Sequence, residues 1–429
     1  VEASWQPLPA TEVISVDDKT VTARMAPSLE YETLIEWIVP SHDVAGSDFC
    51  GGWNNDMWVA GGPFELTSWD RSGDRSILLS RNPNYWKVDD TGQQLPYLDH
   101  VRFEFIPETE DIVSRFTNRK LDVIQPPPAI GGPWGIPVER WRDAGAVVEI
   151  LPGPVWEHLN FQFGPNNRNP DSLNGLLEFR QAVAIALDRE AIVTAAGNEY
   201  LTASQGFVAA FNRLATSQPW SAYETDLAKA RELLATACAK ASRDCAADPP
   251  KLIFSTTANA DFRPRLADQL ELQLEQVGID VELQLEDSQL FFGDTLETGD
   301  WDVGLWAWVG AAGTAALVDI FDVFAPGERP PEGSNYYNWG SPGSTTQSSA
   351  AVSEFSELLA RARRSVDVDE VLGLANRMEQ ILAEQVVIIP MNRRLTVGAF
   401  WADEIAGFQM NPSIAGHTWN IELWYRVGE

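Results

Sequence analysis

"KLIFSTT" (residues 251–257), "FRPRLADQLELQLEQVG" (262–278) and "IDVELQLED" (279–287) follow one another as an apolar run, a periodic run and an alternating run. The first and third read as strands and the second as a helix. Leu266, Leu270, Leu274 and Val277 recur at helical spacing and share one face. Gly278 then supplies the left-handed conformation that ends a helix. A strand, a helix and a strand joined this way imply a crossover between parallel strands of one sheet. The fold class is therefore α/β.

The same texture extends on both sides. A further helix is expected over 288–298 and a strand over 301–308, with paired helices at 351–364 and 368–385 and a strand at "VVIIPM". Upstream, "LLEFRQAVAIALDREAIVTAA" carries Leu176, Phe179, Val183, Ala186 and Leu187 on one helical face, and Asp188 can cap a second helix. A further helix spans 226–238. Before residue 160 the texture is different. "GPFELTSWD" and "RSILLSR" read as strands joined by the turn "RSGD". A short helix follows at 110–119, then the strand "KLDVIQ". Farther upstream, "KTVTARM" alternates and "LIEWIVP" is an apolar run stopped by Pro40. "WEHLNFQFG" is extended, so the chain leaves one domain near 160 and returns near 390. Two extended crossings side by side make a hinge. The expected division is lobe I at 1–160, with 391–429 returning to it, and lobe II at 161–390.

Composition narrows the function. With 429 residues, 44% hydrophobic and 22% charged, the chain reads as ordinary globular protein of more than one domain. No stretch supplies the roughly 20 apolar residues a membrane helix needs. The most apolar run, "WDVGLWAWVGAAGTAALVDIF", is broken by glycine and reads as a buried strand followed by a loop. A net charge of −31 repels phosphate backbones and anionic lipid, which argues against nucleic acid and membrane-surface partners.

Catalytic signatures are scarce. The four histidines make no metal pair, and there is no P-loop, nucleophile elbow or dinucleotide glycine motif. No cofactor or metal is expected. The 62 carboxylates leave a glycosidase pair as an alternative. Cys238 and Cys245 lie seven apart and are a disulfide candidate, or else two unpaired small hydrophobes, and Cys50 stands alone.

What stands out is aromatic. Seventeen tryptophans include Trp53 and Trp58 in a glycine-rich loop, Trp156 at the hinge, Trp306 and Trp308 at a strand end, and Trp339 after "NYYN". Most of them are expected to pack in cores and loops. Ligands of open α/β sheets bind at strand ends, which singles out Trp306 and Trp308.

Four segments carry a resemblance. They are "GGPFELTSW" with "RNPNYWKVDDTGQQLPYLDHVRF", "RFTNRKLDVI", "FRQAVAIALDREAIV" and "LADQLELQLEQVGIDVELQ". In this order the chain resembles the extracellular solute-binding proteins of family 5, the peptide/nickel-type receptors of bacterial ABC importers. The resemblance covers nearly the whole chain. It implies a two-lobed, periplasmic-binding-protein-like fold (type II, cluster C) that captures a peptide or similar solute and delivers it to a membrane permease. It also implies an extracytoplasmic location, with lipid anchoring through a preceding segment. In that family the chain usually begins on the order of a hundred residues upstream of the point matching Val1. An N-terminal part is therefore expected to be missing or to exist as a separate fragment, leaving exposed sheet edge and apolar surface.

Two further expectations follow from the resemblance. Tyr85 and Trp86, in the family's Asn-Pro-x-Tyr-Trp turn, should pack beneath lobe I rather than bind ligand. Peptide-binding members carry an aspartate for the peptide amine where "AWVGAA" has Ala311. Its absence weakens that route and keeps an oligosaccharide in view. A stacking platform would then use Trp306, Trp308, Tyr336 and Trp339, with Asn335 and Asn338 as hydrogen-bond partners. The alternative for 335–339 is an ordinary surface turn.

Overall fold

A computed structural model of the chain describes residues 12–16, 20–29, 46, 61–73, 75–125, 137–197, 200–208, 217–259, 262–310, 316–346, 348–413 and 415–428. Cys50, Trp53, Trp58, Ala311 and the run ending at Pro40 lie outside them. In chain order the strands and helices begin with β1 (Glu12–Val16), β2 (Val21–Arg24), β3 (Phe64–Asp70), β4 (Ser76–Arg81) and β5 (His100–Glu104). Next come α1 (Thr109–Thr117), β6 (Val123–Ile124), α2 (Val138–Asp143), β7 (Ala146–Phe161), α3 (Leu177–Ala186) and α4 (Arg189–Ala196). They continue with α5 (Leu227–Lys240), β8 (Lys251–Thr257), α6 (Phe262–Glu275), β9 (Asp280–Glu286), β10 (Val303–Val309) and α7 (Ala316–Asp322). The chain closes with α8 (Ser349–Ala362), α9 (Val368–Glu384), β11 (Ile388–Trp401), β12 (Ile405–Ala406) and β13 (Tyr425–Arg426).

The crossover read from 251–287 is the centre of lobe II. β8 and β9 pair in parallel from Lys251↔Asp280 to Thr257↔Glu286. α6 buries Leu266, Leu270 and Leu274 against them, and Gly278 takes a φ of +89°. β10 joins β8 in parallel, so three strands end on the same side. Asp188 caps α4 by accepting a hydrogen bond from Ala191 N at 3.0 Å. Cys238, at the end of α5, is bonded to Cys245 with 6.0 Å between their Cα atoms, which closes the loop after the helix.

The apolar run after β10 departs from expectation. Instead of a loop, 316–322 forms α7, with Leu317, Val318 and Phe321 fully buried. Their spacing is one helical face, hidden in the sequence by the alanines and glycines before it.

A single sheet joins the lobes, in the order β6-β11-β7-β10-β8-β9. β7 and β11 are its long members, at 16 and 14 residues. They pair antiparallel from Asn160↔Ile388 to Ala146↔Trp401. One end of this ladder, with Leu159, Phe161, Ile388 and Ile389, belongs to the lobe II core. The other end, with Val148, Val397, Ala399 and Trp401, packs on α1 and α2 through Ile112, Phe116 and Trp141. Ile150 touches both cores. The register slips between Pro390 and Asn392 and again between Arg393 and Leu395. Such bulges bend a strand and increase its twist. The extended segment expected to open at Trp156 thus begins already at Ala146.

Lobe I also holds the sheet β3-β4-β5 and the pair β12-β13. Between them lies a cluster of Phe64, Ile405, Phe408, Ile421 and Trp424. The turn at 81–88 corrects an expectation: Trp86 is 78% exposed rather than packed beneath the lobe, and Tyr85 is half-buried 6.1 Å away. Polar groups hold this turn instead. Asn82 Nδ2 donates to Gly62 O at 2.9 Å, and its Oδ1 accepts from Asn84 N at 2.9 Å. Lys87 pairs with Glu422.

Candidate functional site

β8, β9 and β10 end at Thr257, Glu286 and Val309, on the side where the β7–β11 ladder passes between lobes. Strand ends of this kind are where open α/β sheets take ligands. Across β10 and β7, Trp308 pairs with Trp156 and Trp306 with His158, while Gly310 N donates to Pro154 O at 2.8 Å. A cavity of about 320 Å³ opens here. Its walls are Trp156, Trp308, Val309 and Gly310 from the sheet, and Asp319, Ile320 and Val323 from α7 and the residue after it.

The six residues singled out in the sequence separate by depth. Trp308 is half-buried and lines the cavity. Tyr336, also half-buried, tilts against the Trp308 ring, with centroids 5.8 Å apart. Trp306 is 1% exposed, stacked on Tyr337 at 5.6 Å and edge-on to Trp301 at 5.0 Å. Trp339 is buried and edge-on to Phe355 at 5.3 Å. Asn335 is also buried, and its Nδ2 donates to Ala325 O and Trp339 O, both at 3.0 Å. Asn338 takes a φ of +60° and donates to Gln162 Oε1 at 3.0 Å. The structure therefore brings Tyr336 against Trp308, and of the two Trp308 lines the cavity. It folds Trp306, Asn335 and Trp339 into the body of lobe II, where protein covers their ring faces and amides.

Tyr337 is the support that sequence reading passed over. Trp308 Nε1 donates to its hydroxyl at 2.8 Å, and that oxygen lies 3.1 Å from His158 Nε2. His158 Nδ1 is 3.3 Å from Trp156 O. Burial pushes His158 down to about 3, so its ring is neutral. Burial also pushes the Tyr337 phenol well above its ordinary range. A neutral histidine accepts from the Tyr337 hydroxyl through Nε2 and donates through Nδ1. This thread fixes the Trp308 ring from behind. Tyr337 sits inside "NYYN", where nothing in the sequence separates it from Tyr336.

A second group lies one residue along. Glu157 pairs across the sheet with Ala307 and is engaged by Arg263 and Arg394. Among the described residues no cluster of histidine, cysteine or carboxylate side chains could hold a metal ion. No described helix is long and apolar enough to cross a membrane.

The paired crossing strands thus carry a cavity at the strand ends directly beside them. Residues 2–317 match the family described as bacterial extracellular solute-binding proteins, family 5 Middle, and the chain belongs to that family. It is 24% identical over 349 residues to the oligopeptide-binding protein OppA of Bacillus subtilis, covering 79% of this chain and 57% of that one. The chain thus spans little more than half the length of this curated relative. Over a shorter stretch of 128 residues it is 29% identical to the periplasmic alpha-galactoside-binding protein of Rhizobium meliloti, covering 27% of this chain and 18% of that one. Among solved structures, a putative peptide binding protein AppA from Clostridium difficile superposes with a TM-score of 0.75 at 17% identity, covering 97% of this chain and 78% of that one.

Proposed function

We propose that this chain is the capture part of an importer receptor outside the cytoplasmic membrane. It takes a short peptide between its lobes and presents it to an ABC-type membrane permease. The ring-walled cavity at the strand ends, directly beside the crossing ladder, carries this reading. A solute seated there meets lobe II first and reaches lobe I only when the lobes close. Contacts made in one state alone are what shift a population toward closure. The lobe boundary is proposed at the register slips of β11 and the facing part of β7, which shifts the expected division at 160 toward Ile150. An extended peptide would add backbone pairing at the strand ends, with Trp308 and Tyr336 covering its side chains.

The Trp308–Tyr336 ring pair favours a second reading, in which the solute is an oligosaccharide stacked on the rings. One experiment separates the two. Thermal unfolding is followed with tri- to pentapeptides and, separately, with galactose-containing oligosaccharides, and each mixture is then examined for product. A rise in melting temperature with peptides and no product supports the peptide receptor. A rise with saccharides alone supports the second reading, and cleavage of the glycoside would instead restore the hydrolase alternative.

A further inference from the structure

The charged group beside the cavity has a surplus. Glu157 is fully buried on β7. Its Oε1 accepts from Arg394 Nε at 2.7 Å, from Arg394 Nη2 at 2.6 Å and from Arg263 Nη2 at 3.4 Å. Its Oε2 accepts from Arg263 Nε at 3.2 Å. Arg263 is finished by Thr257 Oγ1, which accepts from its Nη1 at 2.9 Å, and by the Phe292 ring, 6.0 Å away. Burial alone would raise the Glu157 carboxyl, but the Arg263 and Arg394 charges outweigh it and hold it below the usual range. The carboxylate is therefore ionised, and two guanidiniums face it.

One guanidinium would neutralise a buried carboxylate, and a second carries its own desolvation cost. The cluster is left one positive charge in excess, in a chain whose net charge is −31. The two arginines are not equivalent. The Arg263 side chain is 6% exposed, and all three of its nitrogens are engaged. The Arg394 side chain is 22% exposed and spends Nε and Nη2 on Glu157, while its Nη1 makes no hydrogen bond among the described residues. Arg394 also sits in the register slip of β11, where the ladder passes between lobes.

Its position relative to the rings follows from the sheet. Trp156 and Glu157 are consecutive, as are their partners Trp308 and Ala307, so rings and charges occupy opposite faces at the same end. Val309, 62% exposed, closes that end. A solute laid across it would meet rings on one side and a guanidinium on the other. We propose that Arg394 holds an anionic end of the captured solute, a carboxylate, through Nη1, the nitrogen that Glu157 does not engage. Glu157 orients that guanidinium, and Arg263 keeps Glu157 compensated when Arg394 engages the solute. The inference rests on the receptor reading above and adds the class of ligand end.

The test uses one library of tri- to pentapeptides, made as free carboxylic acids and again as C-terminal amides. Each set is incubated with the full chain. Retained peptides are identified by mass spectrometry after gel filtration and then measured by calorimetry. Acids should bind about tenfold more tightly than the matching amides, because a charge-assisted contact is lost in the amide. Arg394→Gln should erase the difference, and a melting curve of that variant shows whether it is folded. Should that variant not fold, Arg394→Lys keeps a charge beside Glu157 without the planar fork, and should keep only part of the preference. Equal binding of acids and amides by the native chain, or an unchanged preference in the Arg394 variants, overturns the inference and leaves the receptor standing. Retention of neither set overturns the peptide receptor and this inference together.

Discussion

Lobe II buries its rings in one continuous core, running from Trp156 through Phe207, Trp306 and Tyr337 to Met391. Among the described residues, lobe I divides its apolar side chains between two smaller clusters, one around Phe116, Trp141 and Trp401 and one around Phe64, Phe408 and Trp424. Members of both border a hollow of about 810 Å³, beside β5 and β6, each of which ends its sheet among the described residues. Stability is therefore distributed unevenly. The lobe with the single core holds the cavity rings and the Glu157 cluster in fixed register, while the described part of the other has fewer buried contacts with which to resist local opening. In the receptor proposed above, a site on the firm half would need no ordering of its contacts when the solute arrives.

The largest expected effect tests that difference directly. Trp401 is 1% exposed, stacked on Phe116 at 4.8 Å, with the Arg119 guanidinium 4.1 Å from its ring centre. Trp401→Ala should cost about 3–5 kcal/mol. In native-state hydrogen exchange followed by mass spectrometry, peptides from α1 and α2 should lose protection, while α6 and β8 keep theirs. Loss of protection in both lobes together would show one cooperative unit and end the comparison.

The firm lobe carries its own weak point. Glu379 is fully buried on α9, its Oε1 accepts from Phe207 N at 2.6 Å and Val208 N at 3.0 Å, and the Ser217 side chain also faces the carboxyl. Burial pushes its carboxyl up to about 7, against these hydrogen bonds. A carboxyl raised in the folded state favours folding while protonated. Its contribution is full below the unfolded value of about 4.5 and is lost as pH rises through about 7. The change is at most about 3 kcal/mol. Unfolding by urea should show lobe II losing stability from pH 5 to pH 8, and Glu379→Gln should remove most of that slope. Phe207 stacks on Trp156 at 4.7 Å, so the cavity wall feels the same change.

How far the sequence discloses this arrangement depends on distance along the chain. The crossover at 251–287 is legible because its alternation, helical face and terminal glycine are all local. The Asp188 cap is legible for the same reason. Trp308 is legible as a strand-end ring, yet Trp306, two residues earlier and on the same face, looks equivalent until Tyr337 is seen to cover it. The charged cluster leaves no trace in sequence: Arg263 and Arg394 lie 106 and 237 positions from Glu157. Only the sheet register and the start of α6 bring them together. α7 was hidden because "GTAALVDIF" has a helical face only if the preceding loop is known to end.

Trp308 and Trp306 offer a finer version of the comparison, between a ring that borders the cavity and one that is core. Trp308→Ala should lower affinity for the peptides retained in the library by about tenfold. Its stability cost should be about 1 kcal/mol, mainly the hydrogen bond given up by the Tyr337 hydroxyl. Calorimetry of binding beside a melting curve reads both quantities. If affinity is unchanged while stability falls by several kcal/mol, Trp308 is a core residue like its neighbour, and the cavity is a packing gap rather than a site.

The smallest expected effect lies in the turn at the edge of lobe I. Trp86 looks like a structural ring, since it follows a proline turn and stands beside Tyr85. Its 78% exposure says otherwise: little of its apolar surface leaves water on folding, so little can be lost by truncating it. The backbone there is fixed by Asn82 and by Gln94, whose Nε2 donates to Lys87 O at 2.9 Å, and by the Lys87–Glu422 pair. None of these depends on the indole. Trp86→Ala should therefore move the lobe I unfolding midpoint by less than about 0.5 kcal/mol. A loss comparable to that of Trp401→Ala would mean that this ring is buried in the folded protein in solution. The described part of lobe I would then hold one more apolar cluster, and the contrast between the lobes would shrink accordingly.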